Sequence, residues 1–239
     1  MRIAVLDDEA IVLELLKAMT ESLGHVCHTF DTGAALLKTL RRDSFDLLIV
    51  DWHLPDMDGP EVVRAARAVI GPQTPILFVT RRQDEQDIVE ALASGADDFM
   101  TKPVRLGEFS ARIKALGRRA FPDMSADTQR FGQYQFDPQT RKLRMDDTLL
   151  EMTDLEYALS LFLFQNCGRL LSRDHLREMV WDQTHDITSR TIDTHISRLR
   201  SKLKLGPEHS YTISAVYGTG YRLEAIADPD KPTGHLTAT

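Results

Sequence analysis

The sequence predicts an α/β chain in two parts: a doubly wound, five-stranded parallel sheet, then a winged helix-turn-helix domain. Three observations carry this. Through the first half, short apolar runs alternate with stretches of helical period. Acidic residues stand where several of those runs end. Through the second half, three helical stretches precede a segment with the look of a hairpin, and the third is densely basic.

The elements follow in order. "RIAVLD" is a short apolar strand, and "AIVLELLKAMTESLG" has helical spacing and stops at Gly24. "HVCHTF" is a strand and "GAALLKTLRRD" a helix. "FDLLIVD" is largely apolar, as in a strand covered on both faces. "GPEVVRAARAV" is a helix, "TPILFVT" a strand, "DEQDIVEALASG" a helix, "ADDFMT" the fifth strand and "RLGEFSARIKALGRR" the last helix of this half. Strands alternating with helices of ten to fifteen residues indicate a parallel sheet.

Bulk properties narrow the function. The chain has 239 residues, 42% of them hydrophobic, and a net charge of -7. Residues 1–120 hold 15 basic and 19 acidic side chains, and residues 121–239 hold 14 and 17. Any nucleic-acid binding must come from a local patch, because the overall field opposes it. Cys27 and Cys167 are too few for a disulfide framework. No apolar run has the length of a membrane span, and "MRIAVLDDE" turns acidic at once. The expectation is a cytoplasmic protein with no membrane partner.

In a doubly wound sheet, functional groups gather at the carboxyl ends of the strands. Strand one ends in Asp7 and Asp8, strand three in Asp51, strand four in Thr80, and strand five leads to Lys102. Carboxylates brought close repel one another, and a hard divalent cation such as Mg²⁺ removes that penalty. A metal site beside an ammonium and a hydroxyl suits a phosphoryl group. In "DWHLPDMDG", Pro55 fixes a turn, Gly59 frees the backbone where the chain reverses, and Asp56 and Asp58 are turn and cap residues. Trp52 should face away from Asp51, toward a helix.

"VLDDE", "LLIVDWHLPDMDG", "FVT" and "GADDFMTKP" together resemble the receiver domain of bacterial two-component response regulators. The resemblance implies that Asp51 is the phosphoacceptor and that a partner histidine kinase is the donor. It implies Mg²⁺ held by Asp8, Asp51 and the His53 backbone carbonyl, with Asp7 acting through water. Lys102 and Thr80 would contact the phosphoryl oxygens, and Phe99 would be the aromatic that turns inward when Thr80 moves. Arg81 departs from the small residue usual after the threonine; it is expected to point away from the site.

The second half starts with strands in "YQFD", "KLRMD" and "TLLEM". "TDLEYALSLFLFQNCG" then opens with a capping box, Thr153 with Glu156. "LLSRDHLREMVWD" is a helix capped by Ser172, and "YTISAVYGTGYRLEA" is a hairpin about "GTG". Between them, "SRTIDTHISRLRSKLKL" carries five basic residues against Asp193. Ile192, Ile196, Leu199 and Leu203 repeat at helical spacing and form its core face. Arg190, Thr191, Thr194, Ser197, Arg198 and Lys202 occupy much of the rest, a pattern of small hydroxyls and cations suited to DNA.

Residues 131–225 resemble the DNA-binding domain of the winged-helix (OmpR/PhoB-like) subfamily. Arg190, Thr191, Thr194 and Arg198 would then face the major groove, with Ser197 and Arg200 beside them. His195, Trp181 and Tyr221 look structural. At the wing, relatives often carry an arginine where this chain has Tyr217, so an uncharged contact is expected there. The resemblance also implies a homodimer on phosphorylation, through a face holding Ile88, Asp97, Asp98, Val104, Glu108, Arg112 and Arg119. In the family, Asp98 would pair with Arg112 and Asp97 with Arg119 of the partner subunit. Ile88 stands where a basic partner for Glu108 is expected, so one ionic link is lost.

The expected organisation is a receiver over 1–120, a linker over 121–130, a winged-helix domain over 131–226 and a disordered tail over 227–239. The function expected is a phosphorylation-controlled transcriptional regulator, not an enzyme. It would bind double-stranded DNA at repeated half-sites in promoters, with RNA polymerase a candidate further partner. The alternatives are a regulator that binds DNA independently of phosphorylation, an aspartyl-nucleophile phosphatase and an unregulated structural DNA binder. The five receiver residues disfavour the first, the DNA reader the second, and the acidic net charge the third.

Overall fold

A computed structural model describes residues 1–120, 128–181, 189–206 and 210–226. The first unit is built on β1 (Arg2–Leu6), β2 (Val26–Phe30), β3 (Leu47–Val50), β4 (Ile76–Thr80) and β5 (Asp98–Thr101), parallel throughout in the order β2-β1-β3-β4-β5. Successive residues of each strand feed two separate cores, as the two-residue period of a strand requires. Ala4, Leu6, Leu48, Val50, Ile76 and Phe78 pack with Leu36, Val62, Val63, Ala66 and Ala91, which lie on α2 (Gly33–Leu40), α3 (Gly59–Ile70) and α4 (Glu85–Ala93). Ile3, Val5, Leu47, Ile49, Leu77 and Val79 pack with Leu16 of α1 (Ala10–Ser22) and with Phe109, Ile113 and Leu116 of α5 (Leu106–Ala120). This two-sided burial explains why the strands read as continuous apolar runs.

The strand order reverses at β1, whose neighbours are β2 on one side and β3 on the other. A crevice is expected at the carboxyl ends there, and Asp7 and Asp51 follow directly on β1 and β3. Trp52 is buried in the α2–α3–α4 core, as the strand alternation predicts. Asp56 accepts hydrogen bonds from Gly33 N (3.0 Å) and Ala34 N (2.8 Å), closing the start of α2 across 22 residues of chain. Gly59 is the first residue of α3, and its need for glycine differs from the expected backbone freedom. A Cβ there would lie 2.5 Å from the Asp51 carbonyl oxygen and 2.7 Å from the Phe78 ring. Close approach beneath the loop that follows β3 excludes any side chain.

The same compact unit takes in residues 171–181. Ser172 caps α7 (Arg173–Val180) by accepting from His175 N at 3.0 Å. Arg2 Nε donates to Glu178 (2.8 Å) and Ser44 Oγ meets His175 Nδ1 (2.8 Å).

The second unit opens with an antiparallel sheet of β6 (Gln129–Phe131), β7 (Tyr134–Asp137), β8 (Lys142–Met145) and β9 (Thr148–Leu150), in that order. α6 (Asp154–Gln165) starts with the expected reciprocal capping box of Thr153 and Glu156. Its Phe164 ring packs on Tyr134, Phe136 and Tyr211, with centroids 4.8–5.3 Å apart. α8 (Ser189–Lys202) buries Ile192, Ile196 and Leu199, with Leu203 just past its end, and the hairpin of β11 (Tyr211–Val216) and β12 (Gly220–Ala225) follows. Two short strands escaped the sequence reading. β6 begins at Gln129, inside the stretch expected to be linker, and β10 (Leu170–Ser172) lies within the run before α7. Each has only three residues, too few to show an alternation. The tail at 227–239 and linker residues 121–127 lie outside the described residues.

Candidate phosphoacceptor and nucleic-acid sites

Asp7, Asp8 and Asp51 bring a carboxylate oxygen each within 4.8 Å of the others. Asp7 is 1% exposed and Asp51 6%, while Asp8 is open to solvent. Lys102, its side chain 8% exposed, reaches in from the loop after β5 and donates to Asp7 Oδ2 (2.7 Å) and Asp51 Oδ2 (2.9 Å). The other Asp51 oxygen accepts from Trp52 N at 2.7 Å, and the other Asp7 oxygen from Glu9 N at 3.0 Å. Thr80 is fully buried at the end of β4, and its carbonyl accepts from Lys102 N at 2.8 Å. Phe99 lies half-buried against the α2–α3–α4 core. His53 is exposed in the loop after β3.

The electrostatics follow from burial. Desolvation pushes the Asp7 carboxyl above its ordinary value, aided by the charge of Asp51 and opposed by Lys102. Burial acts against the Lys102 ammonium as well, but its bonds to Asp7 and Asp51 outweigh that and raise its pKa. The ammonium therefore stays charged, while the carboxylates exceed what one cation balances. A hard divalent cation meets that shortfall, and the oxygen-only donor set suits Mg²⁺. A carboxylate oxygen beside such a cation and an ammonium is equipped to attack phosphorus.

Sequence reasoning missed Glu9 and misplaced Arg81. Arg81 does not point away from the site. Its guanidinium turns to the pocket mouth and binds Glu9 Oε2 at 2.7 Å, while Glu9 Oε1 lies 3.8 Å from Lys102 Nζ. Glu9 follows the Asp7-Asp8 pair directly, which is the one signal that could have marked it. Arg82 stacks over the Trp52 ring (4.6 Å to the centroid) and pairs with Asp87 at 2.6 Å.

On α8 the basic residues divide. Arg190, Thr194, Ser197 and Arg198 are exposed, and Thr191 is half-buried at the same end. Arg200 turns inward and donates twice to the Ile213 carbonyl, at 2.7 and 3.1 Å. Lys202 is held by Glu156 of α6 at 2.7 Å. Both lie among the expected DNA contacts, yet each is engaged within its own unit. Burial, then the Arg198 charge, lowers the His195 pKa and favours the neutral ring. Tyr217 stands fully exposed at the hairpin tip beside Gly218, whose φ of 71° makes the turn.

Comparison with known proteins places the chain in a family. Residues 3–114 match the family model of the response regulator receiver domain, and residues 147–223 that of the C-terminal domain of transcriptional regulatory proteins. The phosphate regulon transcriptional regulatory protein PhoB of Rhizobium meliloti is 35% identical over 94% of this chain and 99% of its own length. The DNA-binding response regulator MtrA of Mycolicibacterium smegmatis is 33% identical over 92% of this chain and 96% of its own. The chain belongs to the OmpR/PhoB-type response regulators. A solved relative, the response regulator DrrB of Thermotoga maritima, aligns over 94% of this chain and 99% of its own, with 26% identity and a TM-score of 0.43.

This response regulator thus joins a receiver to a DNA-binding effector that regulates transcription. On its α4–β5–α5 face, Asp98 binds Arg112 of the same chain at 2.8 Å, and Arg112 also binds Glu108 at 2.8 Å. Asp97 is held by Arg67 of α3 at 2.6 Å. Ile88 and Val104 are half-buried, and the Arg119 side chain lies outside the described residues. No described helix is long and apolar enough to cross a membrane.

Proposed function

We propose that this regulator is switched by transfer of a phosphoryl group from a partner histidine kinase to Asp51. The observation that carries the reading is the single ammonium of Lys102 shared by Asp7 and Asp51 at a strand-end crevice. An Asp51 oxygen forms the new P–O bond as the P–N bond to the donor imidazole breaks, and Lys102 turns from the carboxylates to the phosphoryl oxygens. Asp7, Asp8, Asp51 and the His53 carbonyl would hold Mg²⁺, which when bound offsets charge on those oxygens. Thr80 follows the phosphoryl group, and Phe99 takes up the space it leaves.

The output is a homodimer through the face bearing Ile88, Asp97, Asp98, Val104, Glu108, Arg112 and Arg119. The intrachain pairs at Asp97 and Asp98 would exchange for partner pairs, in a population shift rather than a new fold. Two effector domains, spanning about 131–226 and tethered to receivers at 1–120 by a linker at 121–130, then engage repeated half-sites with the avidity of tandem binding. Arg190, Thr191, Thr194, Ser197 and Arg198 read DNA, while Arg200 and Lys202 brace the helix. Tyr217 supplies an uncharged contact from the wing. The protein works in the cytoplasm, contacts RNA polymerase at the promoter and has no enzymatic turnover of its own.

The test is intact mass after incubation with Mg²⁺ and acetyl phosphate or phosphoramidate, comparing wild type with Asp51→Asn. One phosphoryl adduct on wild type and none on the variant is expected. A wild type left unmodified by small donors and by phosphorylated kinases, yet still binding its operator, would make DNA binding independent of phosphorylation.

A further inference from the structure

Four carboxylates crowd the pocket and its mouth, Asp7, Asp8, Glu9 and Asp51, and two cations meet them. Lys102 is committed to Asp7 and Asp51 in the interior. Glu9 stands beside them, its side chain 40% exposed and its two oxygens divided between Lys102 at 3.8 Å and Arg81 at 2.7 Å. Arg81 is 71% exposed and is the first residue beyond β4. An incoming phosphodonor meets Glu9 before it meets Asp51, and Glu9 repels it unless its charge is offset.

We propose that Arg81 selects phosphodonors by charge: by neutralising Glu9 at the pocket mouth, it lets small dianionic donors reach Asp51. The inference rests on the reading of Asp51 as phosphoacceptor and adds which donors the site accepts. Arg81 touches neither the phosphorus nor the leaving group, so it determines specificity by acting through Glu9. With acetyl phosphate, a bond forms from an Asp51 oxygen to phosphorus, the bond from phosphorus to the acetyl oxygen breaks, and acetate leaves with the electron pair. With phosphoramidate the bond from phosphorus to nitrogen breaks and ammonia leaves. Acetyl phosphate is doubly negative at neutral pH and phosphoramidate, a zwitterion, only singly so. A charge exposed at Glu9 acts on the first about twice as strongly as on the second.

The test is the rate of phosphoryl adduct formation with each donor in wild type, Arg81→Ala, Arg81→Lys, Glu9→Gln and the Arg81→Ala/Glu9→Gln double variant. Arg81→Ala should slow acetyl phosphate about tenfold and phosphoramidate about threefold at low salt, the gap closing as salt screens the mouth. Arg81→Lys should keep most of the wild-type rate, and the double variant should return close to it. Equal slowing of both donors, or a loss in the double variant as large as in Arg81→Ala, would overturn the proposal. A second measurement does not need phosphorylation. Mg²⁺ binding, followed through Trp52 emission, should tighten severalfold in Arg81→Ala, because the same exposed charge that repels an anion attracts a cation. A general loosening of the loop would weaken both, and an unchanged Mg²⁺ affinity would sink the idea. A wild type that takes no adduct from either donor or from phosphorylated kinases, while Arg81→Ala still tightens Mg²⁺, removes the phosphoacceptor reading and leaves the Arg81–Glu9 coupling standing.

Discussion

The pocket at Asp51 and the surface of α8 spend charge in opposite ways. In the pocket, Asp7, Asp51 and Lys102 are all less than a tenth exposed and bonded to one another, so each is oriented before any ligand arrives. On α8, Arg190 and Arg198 are left open to solvent. Groups that perform chemistry need fixed positions in a low dielectric. Groups that follow a phosphate backbone gain their energy from released counterions and need reach more than order. The helix also shows that a run of basic residues overstates its own field: Arg200 and Lys202 answer internal acceptors.

Removing the pocket's cation should break the comparison most visibly. Lys102→Ala leaves Asp7 and Asp51 facing each other in a buried site, a loss of about 3–5 kcal/mol when one partner of a buried pair is taken away. The Asp7 pKa, already raised by burial, rises further without its ammonium. The folded state then holds a proton that the unfolded chain lacks, so the variant regains stability as pH falls from neutral toward the raised pKa. Mg²⁺ should restore part of the loss by binding only the folded state. Urea melts with and without Mg²⁺ at two pH values check this; a variant as stable as wild type would mean the carboxylates are better hydrated than their burial implies.

Gly59→Ala tests the same pocket from beneath. Its new Cβ must displace the Asp51 carbonyl, costing about 1–3 kcal/mol as overpacking does and slowing adduct formation together. Stability lost with the rate unchanged would separate Gly59 from the site.

These two residues also mark where the sequence is legible. Lys102 and Asp51 can be placed without coordinates, because the strand period and the chain order force them to one edge of the sheet. Gly59 is visible as a glycine, but its reason is a steric approach by Asp51 and Phe78, eight and nineteen residues away. The Arg81–Glu9 and Lys202–Glu156 pairs are less legible still. Their partners lie 72 and 46 residues apart, and no local pattern fixes a side-chain direction over that span. The three-residue strands β6 and β10 fall below the length at which periodicity means anything.

On the helix the prediction concerns salt. Arg198→Ala should weaken operator binding about tenfold and lessen the slope of log affinity against log salt by about one. Lys202→Ala and Arg200→Ala should leave the slope nearly as it was. Titrations at several salt concentrations decide it, and an equal change of slope in all three would return Arg200 and Lys202 to the DNA face. Lys202→Ala should show instead in stability, through Glu156. Burial there works against the Glu156 carboxylate, but Lys202 and the Thr153 cap outweigh it and hold the pKa below its usual value. A depressed carboxyl stabilises the fold above its unfolded pKa and loses that contribution as pH falls through the folded one. The effect is about 1 kcal/mol, typical of a cap. In Glu156→Gln the acid limb of the unfolding curve below about pH 4.5 should flatten; a limb of unchanged steepness would assign it to other carboxyls.

The smallest effect lies at the hairpin tip. Tyr217 is fully exposed and carries no charge, so any contact it makes releases no counterion. Tyr217→Arg adds a cation without touching the core, since the side chain is fully exposed and lies outside the paired β11–β12 register. Operator affinity should rise at low salt, and the salt slope should steepen by about 0.9, the increment for one further phosphate on duplex DNA. Nonspecific DNA should gain as much as the operator, because a phosphate contact carries no sequence information. A steeper slope on the operator alone would mean the new arginine reads a narrowed minor groove rather than the backbone. An unchanged slope on both would place the hairpin tip off the DNA, leaving Arg190 and Arg198 to supply the charge by which this effector holds its site.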